Sequence, residues 1–418
     1  MKLGLWVLAA LAAGIVAGLL AGGADPAVAQ AARGLTVVGA VWLDALRMTI
    51  VPLIFSLLVA AIANISAAAQ AGPLARRALT LFAVLIIAAA IYGIAATEAA
   101  LAIWPVDPTS AAALVASAPP TEAAPALDAG AWLRTLLPTN IVAAAAEDAI
   151  LPVVAFACLF GFAVTRLPTE SRALIAGFFQ AVGDAMIVIV RWVLLFAPLG
   201  VFGLALNLGL ESGGAGIGAL AHYVIVVSGV TAGSVVIATI IALVASRRAP
   251  LETLRALAPV QIVAASTQSS LATLPAMLTA TLGPLGVRAS TAEFVLPLAV
   301  AVFRFTSPIA NLAVVMFVAH VSGVEPTLAQ IALGVAAAFA VSVSSVGLPG
   351  QTSFFASIAP ICLVMGVPVA LLPILLAVEV IPDVFRTIGN VSADVAATLA
   401  TDRRRADDDA PQRMRTPD

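Results

Sequence analysis

The sequence predicts an all-α polytopic membrane protein with eight transmembrane helices and two re-entrant helical hairpins. Three observations predict it. Of 418 residues, 62% are hydrophobic and only 10% are charged, with a mean hydropathy of +1.11, whereas a soluble domain carries about 25% charged residues. Apolar runs recur at the length of ~20 residues that crosses a hydrocarbon core. In the last third, two apolar stretches are broken in the middle by Ser, Gly and Pro, and each is followed by a long apolar helix with charge at its centre.

Composition also excludes several functions. A net charge of −2 gives no basis for binding nucleic acid. Cys158 and Cys362 both lie in apolar segments, so no disulfide framework is expected. His222 and His320 are far apart in sequence, which leaves too few soft ligands for a zinc or redox-metal centre.

The first span covers about 3–22. Lys2, the run Leu3 to Leu20 and Ala27-Val28-Ala29 have the look of a secretory signal. The run is of full helix length, however, and reads as a retained helix. Its small residues, from Ala10 to Gly22, suit close packing. The second span covers about 35–65 and contains Val51-Pro52-Leu53-Ile54-Phe55; the third covers about 77–104. The Pro/Ala-rich segment 105–130, with Asp107, Glu122 and Asp128, is too polar and broken to span. An interrupted fourth span lies within 131–167, with breaks marked by Pro138-Thr139-Asn140 and Leu151-Pro152. The fifth covers about 172–208 and the sixth about 219–246.

Arginine placement sets the expected orientation. With the N-terminus cytoplasmic, the inside loops hold Arg76-Arg77, Arg166 with Arg172, Arg247-Arg248 with Arg255, Arg288, and Arg403-Arg404-Arg405. The outside loops hold Asp25, Asp107, Glu122, Asp128, Glu211 and Glu325, with Arg33 as an exception. Both termini are then cytoplasmic, and the charged tail 401–418 reads as disordered. The pairs Glu147-Asp148, Asp184 with Arg191, and Asp44 with Arg47 read as scaffold or interface contacts.

The last third departs from simple spans. The stretch 253–282 is broken by Ser266-Thr267-Gln268-Ser269-Ser270 and Pro275. The stretch 327–365 is broken around Ser342, Ser344, Ser345, Gly347, Pro349 and Gly350. Each half falls short of the ~20 residues needed to cross, so both read as re-entrant hairpins. Irregular backbone at membrane depth survives only where protein buries it or where it lines a wet cavity. There it offers N–H groups to carboxylates and carbonyls to cations, as in a secondary transporter with its site at the midplane. The seventh span, 294–318, carries Arg304. The eighth, 371–400, carries Glu379, Asp383, Arg386, Thr387, Asn390 and Asp394. Steps of four, three, four and four residues from Glu379 to Asp383, Arg386, Asn390 and Asp394 draw one stripe on a helix. A charge at the bilayer centre costs at least ~2.5–3.5 kcal/mol, so this stripe must face protein and serve function.

These residues resemble the dicarboxylate/amino acid:cation symporter family, the glutamate-transporter homologues, over nearly the whole chain. Ser269-Ser270-Leu271-Ala272-Thr273-Leu274-Pro275 resembles the serine-rich tip of the family's first hairpin, and Gly347-Leu348-Pro349-Gly350 the tip of the second. Asp383-Val384-Phe385-Arg386-Thr387-Ile388-Gly389-Asn390-Val391 with Asp394 resembles its final-helix motif. Weaker echoes are Pro138-Thr139-Asn140 and Ala197-Pro198-Leu199-Gly200-Val201-Phe202.

The resemblance implies roles. Arg386 would clamp the substrate's side-chain carboxylate. Asp383 would hold the ammonium group, with Thr387 and Asn390 hydrogen-bonding it. Ser269, Ser270, Ser307, Gly347 and Leu348 would complete the substrate site, the hairpin amides holding the α-carboxylate. Asp394, assisted by Asn390, would be the surviving cation ligand, for Na⁺ if the ion is a metal. Relatives that carry C4-dicarboxylates lack an acid at the position of Asp383, so aspartate or glutamate is the expected substrate. Glu379 would orient Arg386. The implied fold has inverted repeats and works as an elevator in a homotrimer. Residues 1–75 and 131–210 would form the scaffold, 105–130 an extracellular loop, and 76–104 with 211–400 the moving domain. The second hairpin would be the outer gate, and Gln268 stands where many prokaryotic relatives place an arginine.

One departure bears on coupling. The family's N-M-D-G-T motif reads Phe303-Arg304-Phe305-Thr306-Ser307 here, and the Thr-Ser pair that completes the same sodium site aligns with Leu85-Ile86. A hard cation without oxygen ligands cannot recover its hydration energy, so one sodium site is expected to be absent. Arg304 then supplies a permanent positive charge, or else a structural ion-pair partner for Asp394 or Glu379. The central tally is Arg304 and Arg386 against Glu379, Asp383 and Asp394, one net negative charge that one Na⁺ or one proton would neutralise. The resulting expectation is a symporter in a prokaryotic inner membrane, for acidic amino acids, coupled to H⁺ or to a reduced number of Na⁺, with no other cofactor. The alternatives are a C4-dicarboxylate symporter or exchanger, or a degenerate anion conduit or sensor. An intramembrane hydrolase built on the hairpin serines is not expected, because neither histidine lies near them.

Overall fold

A computed structural model describes residues 2–23, 26–69, 72–116, 139–147, 150–212, 215–344 and 350–402. Among them the secondary structure is helical throughout, with no strand. The first half comprises α1 (Lys2–Gly22), α2 (Pro26–Arg47), α3 (Ile50–Ala69), α4 (Pro73–Ile103), α5 (Pro108–Ala116), α6 (Ile141–Ala146), α7 (Ile150–Val164), α8 (Thr169–Leu195) and α9 (Ala197–Ser212). The second half comprises α10 (Ala215–Ala245), α11 (Pro250–Thr267), α12 (Ser270–Leu282), α13 (Ala289–Val302), α14 (Thr306–Val321), α15 (Leu328–Ser344), α16 (Gly350–Val364), α17 (Leu372–Val378) and α18 (Val380–Thr401). Four stretches, 73–103, 169–195, 216–245 and 289–321, are long and apolar enough to cross a bilayer.

Several expected spans are divided. The second, expected over 35–65, is two helices that meet at a turn at Met48-Thr49. The fifth, expected over 172–208, breaks at Phe196, ahead of Pro198, which has no N–H to donate to the Leu194 carbonyl four residues back. In the fourth, Asn140 starts α6 by accepting hydrogen bonds from the Val142 and Ala143 amides. Pro152 does not break α7 but sits in its first turn, where no intrahelical N–H bond is lost. Pro275 likewise lies inside α12 rather than between helices. The loop expected over 105–130 begins with the short helix α5; its residues 117–130 lie outside the described set, as does the tail from 403.

Small residues set the closest helix crossing. α1 runs along α9, and a Cβ built on Gly18 would meet the Cα of Gly209 at 2.8 Å. Only glycine permits that approach. Elsewhere α10 packs along α18 and α14 along α4. α14 is buried along its whole length except at His320, as an apolar helix at the centre of a bundle must be. Outer helices invert the pattern of a soluble protein. α8 exposes Leu174, Phe178, Trp192 and Leu195, and α10 exposes Ile225, Val236, Ile240 and Val244, an apolar outer surface suited to lipid.

Candidate functional site

α17 and α18 occupy the stretch expected as the eighth span, with Glu379 at their junction. Glu379, Asp383, Arg386, Thr387, Asn390 and Asp394 are all buried, none more than 5% exposed. The expected stripe is therefore present and turned into protein. α10, α11 and α13 cover it from three sides.

The stripe is held by specific bonds. Arg386 Nη2 lies 2.5 Å from Glu379 Oε1. The Tyr223 hydroxyl of α10, itself fully buried, donates to Glu379 Oε2 at 3.1 Å. Arg386 Nε, by contrast, is buried with no hydrogen-bond partner. A buried N–H without an acceptor costs ~1–3 kcal/mol, and a ligand carboxylate would supply the acceptor. Both carboxylate oxygens of Asp394 are also buried without a hydrogen-bond partner, as are both polar atoms of the Asn311 side chain. Oxygens in that state fit a bound cation or proton.

The seventh span is interrupted at residues 303–305, between α13 and α14. The break docks on α18: the Thr306 amide donates to Asn390 Oδ1 at 2.9 Å, and the Thr306 hydroxyl donates to the Arg386 carbonyl at 2.6 Å. Arg304 is 6% exposed, and its Nε donates to Ser307 Oγ at 3.2 Å. Its charged neighbours are Arg386, Asp383 and Asp394. Glu379 is thus paired with Arg386 rather than Arg304, and Asp394 accepts no hydrogen bond from either arginine. Phe303 stacks on Phe82 of α4, ring centroids 4.5 Å apart, and Phe305 lies 6.1 Å from Phe303. All three rings are buried, so carbon packs where the oxygen ligands of a cation would stand.

The first hairpin is α11 and α12, packed against each other. Its tip turns at Gln268, the single non-glycine residue with positive φ among those described (φ 50°). Gln268 Nε2 donates to the Val380 carbonyl at 3.3 Å, which fixes the tip beside the start of α18, within one turn of Asp383. Ser269 caps α12 by accepting from the Ala272 amide at 3.3 Å, and Ser270 is buried at the first turn. Ser269, Ser270, Ser307, Asp383, Arg386, Thr387 and Asn390 thus belong to elements joined around α18. The second hairpin is α15 and α16. Its tip, with Gly347 and Leu348, lies outside the described residues. Tyr223 and Phe82 escaped the sequence reading, for no spacing rule links either to its partner.

Residues 3–404 match the sodium:dicarboxylate symporter family. The chain is 27% identical over 373 residues to a proton/glutamate-aspartate symporter of Escherichia coli (strain K12), covering 87% of this chain and 84% of that one. It is 30% identical over 249 residues to human neutral amino acid transporter A, covering 59% of this chain and 46% of that one. It is 28% identical over 290 residues to a C4-dicarboxylate transport protein of Pseudomonas paraeruginosa, covering 68% of this chain and 63% of that one.

Proposed function

Because the chain belongs to the sodium:dicarboxylate symporter family, we propose that it is a secondary transporter of acidic amino acids, aspartate or glutamate. The family is one of transporters, not enzymes, and the protein is an integral membrane protein coupled to a cation. In our reading the driving ion is H⁺, or fewer Na⁺ than sodium-rich relatives use. The E. coli relative pairs the same ion with the same substrates.

The observation that carries the reading is the buried Arg386, whose Nε lacks an acceptor, one turn beyond the buried Asp383. A planar guanidinium suits a carboxylate, and an acid beside it suits an ammonium group. An α-amino dicarboxylate needs both. A C4-dicarboxylate brings no ammonium group for Asp383 to hold, so it is the second reading. Ser269, Ser270, Ser307, Thr387, Asn390 and the second hairpin's Gly347 and Leu348 complete the substrate site. Asp394 with Asn390 forms the site that a Na⁺ would occupy, and Arg304 with the packed rings of Phe82, Phe303 and Phe305 stands in for the lost sodium. We assign the scaffold to 1–75 and 131–210 and the moving part to 76–104 and 211–400. It works as an elevator within a homotrimer, in a bacterial inner membrane with both termini inside.

The test is uptake of radiolabelled aspartate into proteoliposomes with Na⁺ and proton gradients imposed separately. Accumulation under the proton gradient alone is expected. Steep Na⁺ dependence would overturn the ion assignment, and absence of aspartate uptake under either gradient would overturn the substrate.

A further inference from the structure

We infer that Glu379 carries the coupling proton, taking it up when a substrate carboxylate reaches Arg386 and releasing it when the arginine is paired again. This rests on the reading above and names the residue behind its ion coupling. Glu379 is completely buried at the junction of α17 and α18. In the structure it already neutralises Arg386. A second nitrogen of the guanidinium, Arg386 Nε, is buried with no hydrogen-bond partner. A substrate carboxylate that answers this donor brings a second negative charge to one guanidinium in a site that excludes water. Two carboxylates sharing such a site do not both stay ionised.

Glu379 is the member of that pair built to accept the proton. Its Oε2 faces the Tyr223 hydroxyl, which donates to a carboxylate and accepts from a carboxylic acid by rotating its O–H. The groups facing Glu379 are Tyr223 of α10 and Arg386 and Asp383 of α18. α1, α9 and α16 also pack on α17, and among their described side chains they add no charged group, only the buried Cys362 thiol of α16.

The step balances simply. A proton from the outer solution forms an O–H bond on Glu379, no other covalent bond changes, and the Arg386 contact passes from Glu379 to substrate. On the inner side substrate leaves, Glu379 loses the proton to water, and its carboxylate returns to Arg386. The inner cluster then crosses with the same charge in both directions. Loaded, it is guanidinium with substrate carboxylate beside a neutral acid; empty, it is guanidinium with Glu379 carboxylate. A residue that only orients Arg386 would move no proton.

The test is isothermal titration calorimetry of the full-length, detergent-solubilised protein with L-aspartate, in buffers of different ionisation enthalpy at one pH. The wild type should take up one proton per aspartate bound, and Glu379→Gln should bind with none. Across pH, wild-type affinity should fall about tenfold per unit above the titration, and that slope should flatten in Glu379→Gln. Proton uptake that persists in Glu379→Gln would overturn the inference, as would a wild type that binds aspartate without proton uptake. A wild type with no aspartate heat would overturn the substrate assignment itself. Should Glu379→Gln fail to bind, Tyr223→Phe carries the test. Without the hydroxyl that donates to the carboxylate, the fall in affinity should set in at a higher pH than in wild type, and an unshifted profile would overturn the inference.

Discussion

Replacing Arg386 with glutamine separates what the arginine does for the fold from what it does for substrate. Arg386 and Glu379 are 3% and 0% exposed, 2.5 Å apart. Arg386→Gln leaves a buried Glu379 carboxyl with only the Tyr223 hydroxyl beside it, which must either hold its charge unpaired or take up a proton at neutral pH, and both cost stability. Breaking one side of a buried pair costs ~3–5 kcal/mol. Removing both charges, in Arg386→Gln with Glu379→Gln, leaves two neutral amides able to bond each other and should recover most of that loss. Binding should not recover. A lost charge-assisted bond to a carboxylate is worth ~1.5–3 kcal/mol, a fall of roughly ten- to a hundred-fold in affinity. Thermal unfolding in detergent at neutral pH gives the first comparison, and aspartate titration the second. A single variant as stable as wild type would refute the reasoning, since Glu379 would then not need its partner. So would a double variant no more stable than the single one.

Three further perturbations follow from the geometry. Asp383→Asn should weaken aspartate binding by about a hundred-fold, as expected for a charged hydrogen bond, while affecting succinate far less; competition against labelled aspartate reads both. Phe303→Ala should open a cavity beside Phe82, cost ~3–5 kcal/mol and lower the unfolding midpoint, without creating a response to Na⁺. At the end of α18, burial raises the Asp402 carboxyl, but hydrogen bonds from Arg288 and Thr291 outweigh it and set its pKa below the ordinary value. A depressed carboxyl contributes stability above its unfolded pKa, and that contribution is lost as pH falls through the folded value. Melting curves taken from neutral pH down to about pH 3 should therefore show a shallower acid limb in Asp402→Asn than in wild type.

The parts of this site legible in the sequence are those written within one helix. Glu379 and Arg386 are seven residues apart, two turns on one face, and so the pair that the structure forms follows from spacing. The first hairpin's turn also falls inside the serine-rich run, at Gln268 and Ser269. The interruption at 303–305 is only half written locally. Pro308 has no N–H for the Arg304 carbonyl, which disfavours a continuous helix there, and the rest comes from Asn390 and the Arg386 carbonyl, which capture Thr306 from across the bundle. The same holds for the partners drawn from other helices. Phe303 and Phe305 in place of oxygen ligands read, in sequence, as a loss. Phe82 adds to that reading a ring stacked on Phe303, a packing partner that no spacing rule announces. With carbon there, the remaining buried groups that can answer a moving charge are carboxylates, and Tyr223 distinguishes one of them. Asp394 is left without a hydrogen-bond donor, while Glu379 has both an arginine to exchange with substrate and a hydroxyl to follow its proton.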